Sequence, residues 1–379
     1  MAGAKKCSVF SNARGERATV FSHAFNMKMV IEEGEPPIRS SRFPKRLPQS
    51  GCHTRALQIR TVLVPLDFSR ASIQALKYTI SLAKEFESTI HLVHVQHSEE
   101  LTAIENAGGL MLSCMDAIAL MQDRLSEALG DGRPFWLENC HVVSGRPFEE
   151  ICKLARQVKA DLVILPTRGL GRLKRIFLGS TAERVVRYAP CPVLIPRGPR
   201  FKSITWNTAE KNGFKLRKIL APVDFSNCSL AGLKYAARLA KDTGATIRLF
   251  HVVYPYTQIF AVDHTSGDLT PLIKTATASA QEEMNKLRKI SFLSDIPCET
   301  QIRTGAVIDE IVKASSGRDI DLVATSTHGR TGFEHALIGS IAEQVARYAD
   351  CPVIIVPSRE RESQPTTGTN NHESMELYE

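Results

Sequence analysis

The sequence predicts two tandem α/β domains, each a doubly wound fold built on a five-stranded parallel sheet, and three observations predict it. The second half of the 379-residue chain repeats the first. Residues 59–96 laid on 216–253, an offset of 157, match at 18 of 38 positions without a gap, and 161–196 laid on 321–356, an offset of 160, match at 17 of 36. The offsets differ by three (160 − 157), so the second copy carries a net three-residue insertion between the two windows. Within each copy, short Val/Ile/Leu runs alternate with stretches of helical apolar period, the pattern of βαβ units. Five apolar strands joined by helical crossovers require a parallel sheet covered on both faces, because right-handed crossovers place the helices there.

The elements follow in order. In copy one an apolar strand at 61–65 precedes a helix at 72–86, on which Ile73, Leu76, Ile80 and Ala83 form one stripe, and a strand at 89–95 closes the first βαβ unit. A long helix is expected around 115–129, then a strand at 136–143, a helix at 148–158, a strand at 161–165, a helix at 181–188 and a last strand at 192–195. Copy two repeats the strands at 218–221, 246–253, 298–303, 322–325 and 352–356. The last strand of each copy, with Val193 to Ile195 and Val353 to Ile355, falls at a sheet edge and is strongly apolar, and an unprotected apolar edge invites pairing.

Composition places the rest. Each repeat has the size of an ordinary domain, and 43% hydrophobic residues suffice for two cores. Residues 1–57 hold ten Lys/Arg and four Glu without apolar periodicity, and 359–379 hold two Arg and five Glu; both are expected to be disordered tails. The expected organisation is thus a basic leader at 1–57, a first domain at 58–198, a linker at 199–214, a second domain at 215–358 and a tail at 359–379. The formal charge is +8, and the leader contributes 10 − 4 = +6 of it, so the folded body is only mildly basic and a dedicated nucleic-acid surface is not expected. The basic run from Arg39 to Arg46 fits a solvated stretch of that leader. Nine cysteines without a CxxC pair, and no His at metal-ligand spacing, suit a reducing compartment where Cys serves as a small buried apolar residue, and no metal or redox site is expected. No apolar run reaches the roughly 18 residues of a membrane span, and no secretory apolar segment opens the chain. A cytoplasmic protein without a membrane partner is expected.

In a doubly wound sheet, ligands bind outside the carboxyl ends of the strands where the winding reverses, which here means the loops after the first and fourth strands of each copy. After the first strand stand Pro65-Leu66-Asp67-Phe68-Ser69 and Pro222-Val223-Asp224-Phe225-Ser226. Asp67 and Asp224 can each reach a ribose hydroxyl or a phosphate-bound metal, or they can cap the following helix. After the fourth strand come Thr167-Arg168-Gly169 and Thr327-His328-Gly329-Arg330, and ten residues beyond each glycine stand Gly179-Ser180 and Gly339-Ser340, the latter followed by Ile341. Ser180/Glu183 and Ser340/Glu343 have capping-box spacing. A glycine-flanked helix start is also an anion site, and the recurrence of the pattern in both copies beside an Asp favours phosphate binding. His94 and His251 recur at the end of an apolar strand and suit hydrogen-bonded core imidazoles better than catalytic bases.

These motifs together resemble the universal stress protein family. The resemblance rests on the Asp-Phe-Ser after strand one, on His94-Val95 and His251-Val252 closing strand two, and on GSxAE followed by RYAxCPV near the end of each copy, and it covers about residues 58–358. It implies a Rossmann-like fold of the adenine nucleotide alpha hydrolase type, binding of ATP or a related adenine nucleotide with or without Mg2+, and a regulatory role in stress responses. It further implies that the Asp after strand one lies beside the ribose, the Val closing strand two against adenine, and the glycine loops around the phosphates. Dimerisation through the last strand is implied too, giving an internal pseudo-dimer here and a homodimer beyond it.

The chain departs from the family's nucleotide-binding pattern at the first glycine, which is Pro166 in copy one and Ser326 in copy two. Proline removes a backbone donor and crowds a phosphate, whereas serine keeps the N–H. The live site is therefore expected in the second domain, at Pro222, Val223, Asp224, Val252, Ser326, Gly329, Arg330, Gly339, Ser340 and Ile341. Asp67, Val95, Gly169, Gly179 and Ser180 are the weaker counterparts, although Arg172, Lys174 and Arg175 pull electrostatically toward copy one. Two other classes compete: a slow nucleotide hydrolase, which would need a phosphate loop that the direct step from Asp-Phe-Ser into a helix does not leave room for, and a ligand-free interaction scaffold.

Overall fold

The strands coincide with the apolar runs, and the sheet they form is continuous through both copies. The structure, a computed structural model, describes residues 9–11, 17–19, 57–96, 139–166, 179–198, 201, 215–254, 270–317, 319–327 and 340–357. The expected helix around 115–129 lies outside the described residues, as do Gly169, Gly329, Arg330 and Gly339. Near the amino end, β1 (Val9–Ser11) and β2 (Arg17–Thr19) pair antiparallel with each other.

The first domain comprises β3 (Thr61–Pro65), α1 (Arg70–Phe86), β4 (Thr89–Gln96), β5 (Cys140–Ser144), α2 (Pro147–Gln157), β6 (Leu162–Ile164), α3 (Ser180–Tyr188) and β7 (Val193–Ile195). The second comprises β8 (Lys218–Pro222), α4 (Asn227–Thr243), β9 (Thr246–Val253), α5 (Thr270–Arg288), β10 (Cys298–Thr304), α6 (Val307–Ser315), β11 (Leu322–Ser326), α7 (Ser340–Tyr348) and β12 (Val353–Val356). All pairings within each domain are parallel, in the order β7-β6-β3-β4-β5 and its counterpart β12-β11-β8-β9-β10. The winding reverses between β3 and β6 and between β8 and β11, so the chain is doubly wound twice.

Alternation along each strand divides the core. Val62, Val64, Leu92 and Ile164 face α1 and join one apolar cluster that also takes in Leu233 and Leu239 of α4. Leu63, Val93, Val163 and Ile195 face the other way and meet Ile151, Val185, Ile311 and Val345 of α2, α3, α6 and α7. With helices on both faces, the central strands are apolar on both sides, while the edge strands β5 and β10 carry polar, partly exposed residues. The long first helix of each domain is delimited alike. Ser69 and Ser226 are N-caps whose hydroxyls accept from the backbone N–H of Ser72 and Ser229 at 3.2 Å, and Glu87 and Gly244 close the helices in the left-handed conformation.

The two five-stranded sheets join into one of ten strands through β7 and β12, which pair antiparallel with Val193 opposite Ile355 and Ile195 opposite Val353. Each strand thereby covers the apolar edge of the other. Contacts around this seam come in reciprocal pairs. Tyr78 lies by Cys351 and Tyr235 by Cys191, and in both cases burial foremost pushes the phenol pKa up. That reciprocity is what a two-fold axis produces, here within one chain. The amide of Gln74 donates to the Phe201 carbonyl at 2.7 Å, the Leu57 N–H donates to Asp242 Oδ2 at 2.7 Å, and Arg197 donates to the Ala346 carbonyl. All six described cysteines are free thiols.

Candidate functional site

The loop after the first strand is held in one conformation by side chains far from it in sequence. The Val223 N–H donates to the Phe250 carbonyl at 2.8 Å, and the Val223 carbonyl accepts from His251 Nδ1 at 2.8 Å. Because a carbonyl only accepts, Nδ1 carries the proton. Copy one repeats both bonds through Leu66, Val93 and His94, each again at 2.8 Å. The imidazole recurring at the end of strand two is thus a structural donor clamping the loop.

Above each imidazole lies the aromatic ring that follows the Asp, with centroids 5.2 Å apart for Phe68–His94 and 4.5 Å for Phe225–His251. Both phenylalanines take positive φ, +57° and +64°. That conformation costs a non-glycine residue about 1–2 kcal/mol, and here it recurs in both copies because ring stacking and the clamped carbonyl determine it. It turns the chain sharply and sets the carboxylate against the helix start. Asp67 Oδ1 accepts from the Ser69 N–H at 3.0 Å, and Asp224 Oδ1 accepts from the Ser226 N–H at 3.0 Å and from the Ser226 hydroxyl at 2.5 Å. The serines cap the helices, so each Asp stands two residues earlier, holding the cap residue; both Asp side chains are half-buried.

Val95 and Val252 each stand one residue before the end of β4 and β9. Val95 is half-buried, while Val252 is 9% exposed within the core cluster. Pro166 lies two residues past β6, whereas its counterpart Ser326 is the last residue of β11, and Thr327 carries the ladder one bond further by donating to the Val356 carbonyl at 3.0 Å. The donor of that bond is Thr327, whose counterpart Thr167 lies outside the described residues, so the bond does not itself distinguish Ser326 from Pro166. Ser326 is buried, and its φ is not positive, so the position makes no demand for glycine.

The ends of α3 and α7 require one correction. Ser180 is not the cap of a capping box. Gly179 is the N-cap of α3 and supplies no side-chain hydrogen bond, Ser180 is the first helical residue, and Glu183 pairs with Arg187 at 3.4 Å. Ser340 likewise is the first residue of α7, with Ile341 half-buried behind it, and Glu343 pairs with Arg347. A glycine cap leaves the first N–H groups of α3 without a side-chain acceptor, which is the condition for receiving an anion there. A Cβ built on Gly179 would meet no atom of the described residues within 4 Å.

Sequence reasoning did not single out Gly232. A Cβ there would lie 3.0 Å from the Thr325 carbonyl carbon and 3.2 Å from the Ser326 nitrogen, so α4 rests directly on the end of β11. The counterpart in copy one is Ala75, an asymmetry visible in the aligned repeats. The strained phenylalanines had only the recurrence of Asp-Phe-Ser to mark them.

The clamp gives a direct expectation. His251→Ala should destabilise the second domain by about 1–3 kcal/mol, the penalty for leaving a buried carbonyl unsatisfied. It should also weaken any ligand that uses Asp224. Denaturant unfolding and calorimetry check the two effects, and a variant with wild-type stability would show that the imidazole does not hold the loop.

The universal stress protein family matches residues 58–197 and again 215–357. A universal stress protein of Methanocaldococcus jannaschii is 32% identical over 146 residues, 37% of this chain and 84% of that protein. One of Mycolicibacterium smegmatis is 24% identical over 315 residues, 79% of this chain and 97% of that protein. Among solved structures, a universal stress protein of Archaeoglobus fulgidus shares the fold with a TM-score of 0.54 at 22% identity, over 80% of this chain and 100% of that one. With the doubly wound topology present twice and both copies matched along almost their whole length, the chain belongs to the universal stress protein family as a tandem two-domain member.

Proposed function

We propose that the protein is a stress-response regulator that binds an adenine nucleotide, ATP with or without Mg2+, at the switch point of the second domain. The observation that carries this is the clamped turn at Asp224. His251 and Phe225 hold a half-buried carboxylate at the carboxyl end of the sheet, where a ribose hydroxyl can donate to it, beside a crevice that doubly wound folds use for ligands. The same turn exists at Asp67, and the second copy is preferred because Ser326 keeps the backbone donor that Pro166 removes. The uncapped start of α3 suits a phosphate, and the same Gly-Ser sequence leads into α7. Binding without rapid turnover is the expected chemistry, since the Asp and the helix ends recognise a nucleotide but supply no nucleophile. No helix among the described residues is long and apolar enough to cross a membrane, and a cytoplasmic location fits this role.

A second reading, a ligand-free scaffold, draws on the burial of Val252 at 9% exposure and Ser326 at 5%, which leaves less open surface in copy two than Val95 offers in copy one. Calorimetric titration of the full chain with ATP and Mg2+ separates the two. One site per chain is expected, with nucleotide released from the purified protein on denaturation and identified by mass; no heat and no released nucleotide would establish the scaffold.

A further inference from the structure

The edge of the first domain, away from the switch point, carries a pair of imidazoles that the nucleotide reading does not use. His91 stands in the amino-terminal half of β4 and His141 near the start of β5, the outermost strand of the ten. β4 and β5 pair with Leu92 opposite Cys140 and Val93 opposite His141, so His91 and His141 are diagonal neighbours on one face. From His91 to Val95 is four residues, about 13 Å along the strand, so the pair is separate from the crevice.

Its geometry is specific. His91 Nδ1 and His141 Nε2 are 3.0 Å apart, and the rings are nearly parallel, 17° between planes with centroids at 5.3 Å. Two nitrogens this close share one proton. Tetrahedral coordination with metal–nitrogen bonds of about 2.0–2.1 Å places two imidazole nitrogens about 3.3–3.4 Å apart, so a cation fits between them once the ring that carries the shared proton moves it to its other nitrogen and both rings turn to aim their lone pairs at one point. Both rings are half-buried, open enough for an ion to enter.

The second copy shows what this position accommodates. Arg248 is the counterpart of His91 at the offset of 157, and Gln301 the counterpart of His141, since Val142 pairs with His94 as Ile302 pairs with His251. Arg248 places a permanent cation there, bonded to Glu299 at 3.0 Å and to Asp319 at 2.7 Å. Copy two thus carries its positive charge covalently at the site where copy one presents two ring nitrogens sharing a proton.

We propose that His91 and His141 form a two-imidazole site for a borderline divalent transition metal of the Zn2+ or Cu2+ class. Imidazole ligands select such ions over Mg2+ and Ca2+. Among the described residues no group of three or more His, Cys, Asp or Glu converges to hold a metal, so the described residues supply two ligands and leave the remaining coordination positions to other donors. This is an open, exchanging site rather than a structural one.

The test is titration of the full chain with Zn2+ alone, followed by calorimetry and by the nitrogen resonances of the histidine rings. Wild type should bind one equivalent that the double variant His91→Gln/His141→Gln does not. Each single Gln variant should weaken that equivalent by at least the ~10-fold typical of losing even an outer partner of a metal ligand. The variants retain hydrogen-bonding side chains at the edge, and their melting profiles establish that they fold. Should either fail to fold, the wild-type ring resonances decide alone, since Zn2+ must move those of His91 and His141. Equal Zn2+ binding by wild type and double variant, or static resonances of the two rings at saturation, overturns the proposal.

Discussion

Gly198→Ala should loosen the seam between the two domains and destabilise the chain by about 2–4 kcal/mol. Gly198 has φ +84°, and a Cβ built on it would fall on the Asp350 carbonyl oxygen, 2.7 Å from the carbonyl carbon and 3.3 Å from Cys351 Cα. These are backbone atoms of the other domain, just ahead of β12, and they have no rotamer through which to yield. The penalty combines about 1 kcal/mol for positive φ with about 1–3 kcal/mol for overpacking. The adjacent Arg197 bond to the Ala346 carbonyl and the β7–β12 pairing lie in the path of the displacement. Gly244→Ala is the matched control, because Gly244 has φ +70° but nothing within 4 Å of its would-be Cβ. It should lose only about 1 kcal/mol. Urea unfolding of both variants measures the difference, with separate transitions for the two domains expected in Gly198→Ala. Equal losses would mean that the close approach to Asp350 contributes nothing.

For nucleotide binding, the largest expected effect is a domain-specific one. Asp224→Ala should lower ATP affinity by about 10- to 100-fold, the equivalent of losing a charged hydrogen bond of about 1.5–3 kcal/mol, while Asp67→Ala leaves it unchanged. Both helices keep their serine caps in these variants, so folding should survive. Glycine substitutions provide the second arm. Gly339→Val should abolish binding by placing a branched side chain where phosphates approach a helix start. Gly179→Val should fold normally, since its Cβ meets no atom of the described residues within 4 Å, and should leave the single site intact. If instead Gly179→Val abolishes binding and Gly339→Val does not, the basic residues Arg172, Lys174 and Arg175 outweigh the donor missing at Pro166, and the live site is in the first domain.

How much of this was legible in the sequence differs from element to element. Strand β9 spans Thr246–Val253, the interval its mainly apolar run indicates, because a parallel strand covered on both faces buries most of its residues. The helix after β3 begins at Arg70, three residues before its apolar stripe, since a cap is set by Ser69 and not by burial. The one-residue difference that makes Gly179 and not Ser180 the cap of α3 was not legible, because either residue suits a cap by type and only the packed backbone selects one.

Sequence by itself determined the duplication, the winding, the apolar final strands and the positions of Asp67 and Asp224 at the switch points, all of which follow from local period and residue type. Tertiary structure alone decided how those Asp side chains are held and how the domains meet. The left-handed Phe68 and Phe225 follow from carbonyls gripped by His94 and His251, each 28 residues away, against the local preference of any phenylalanine. The need for glycine at Gly198 arises from the backbone of Asp350 in the other domain, and at Gly232 from the backbone of β11. Such constraints are steric meetings of distant segments, and no local pattern of residues encodes them until the chain has folded.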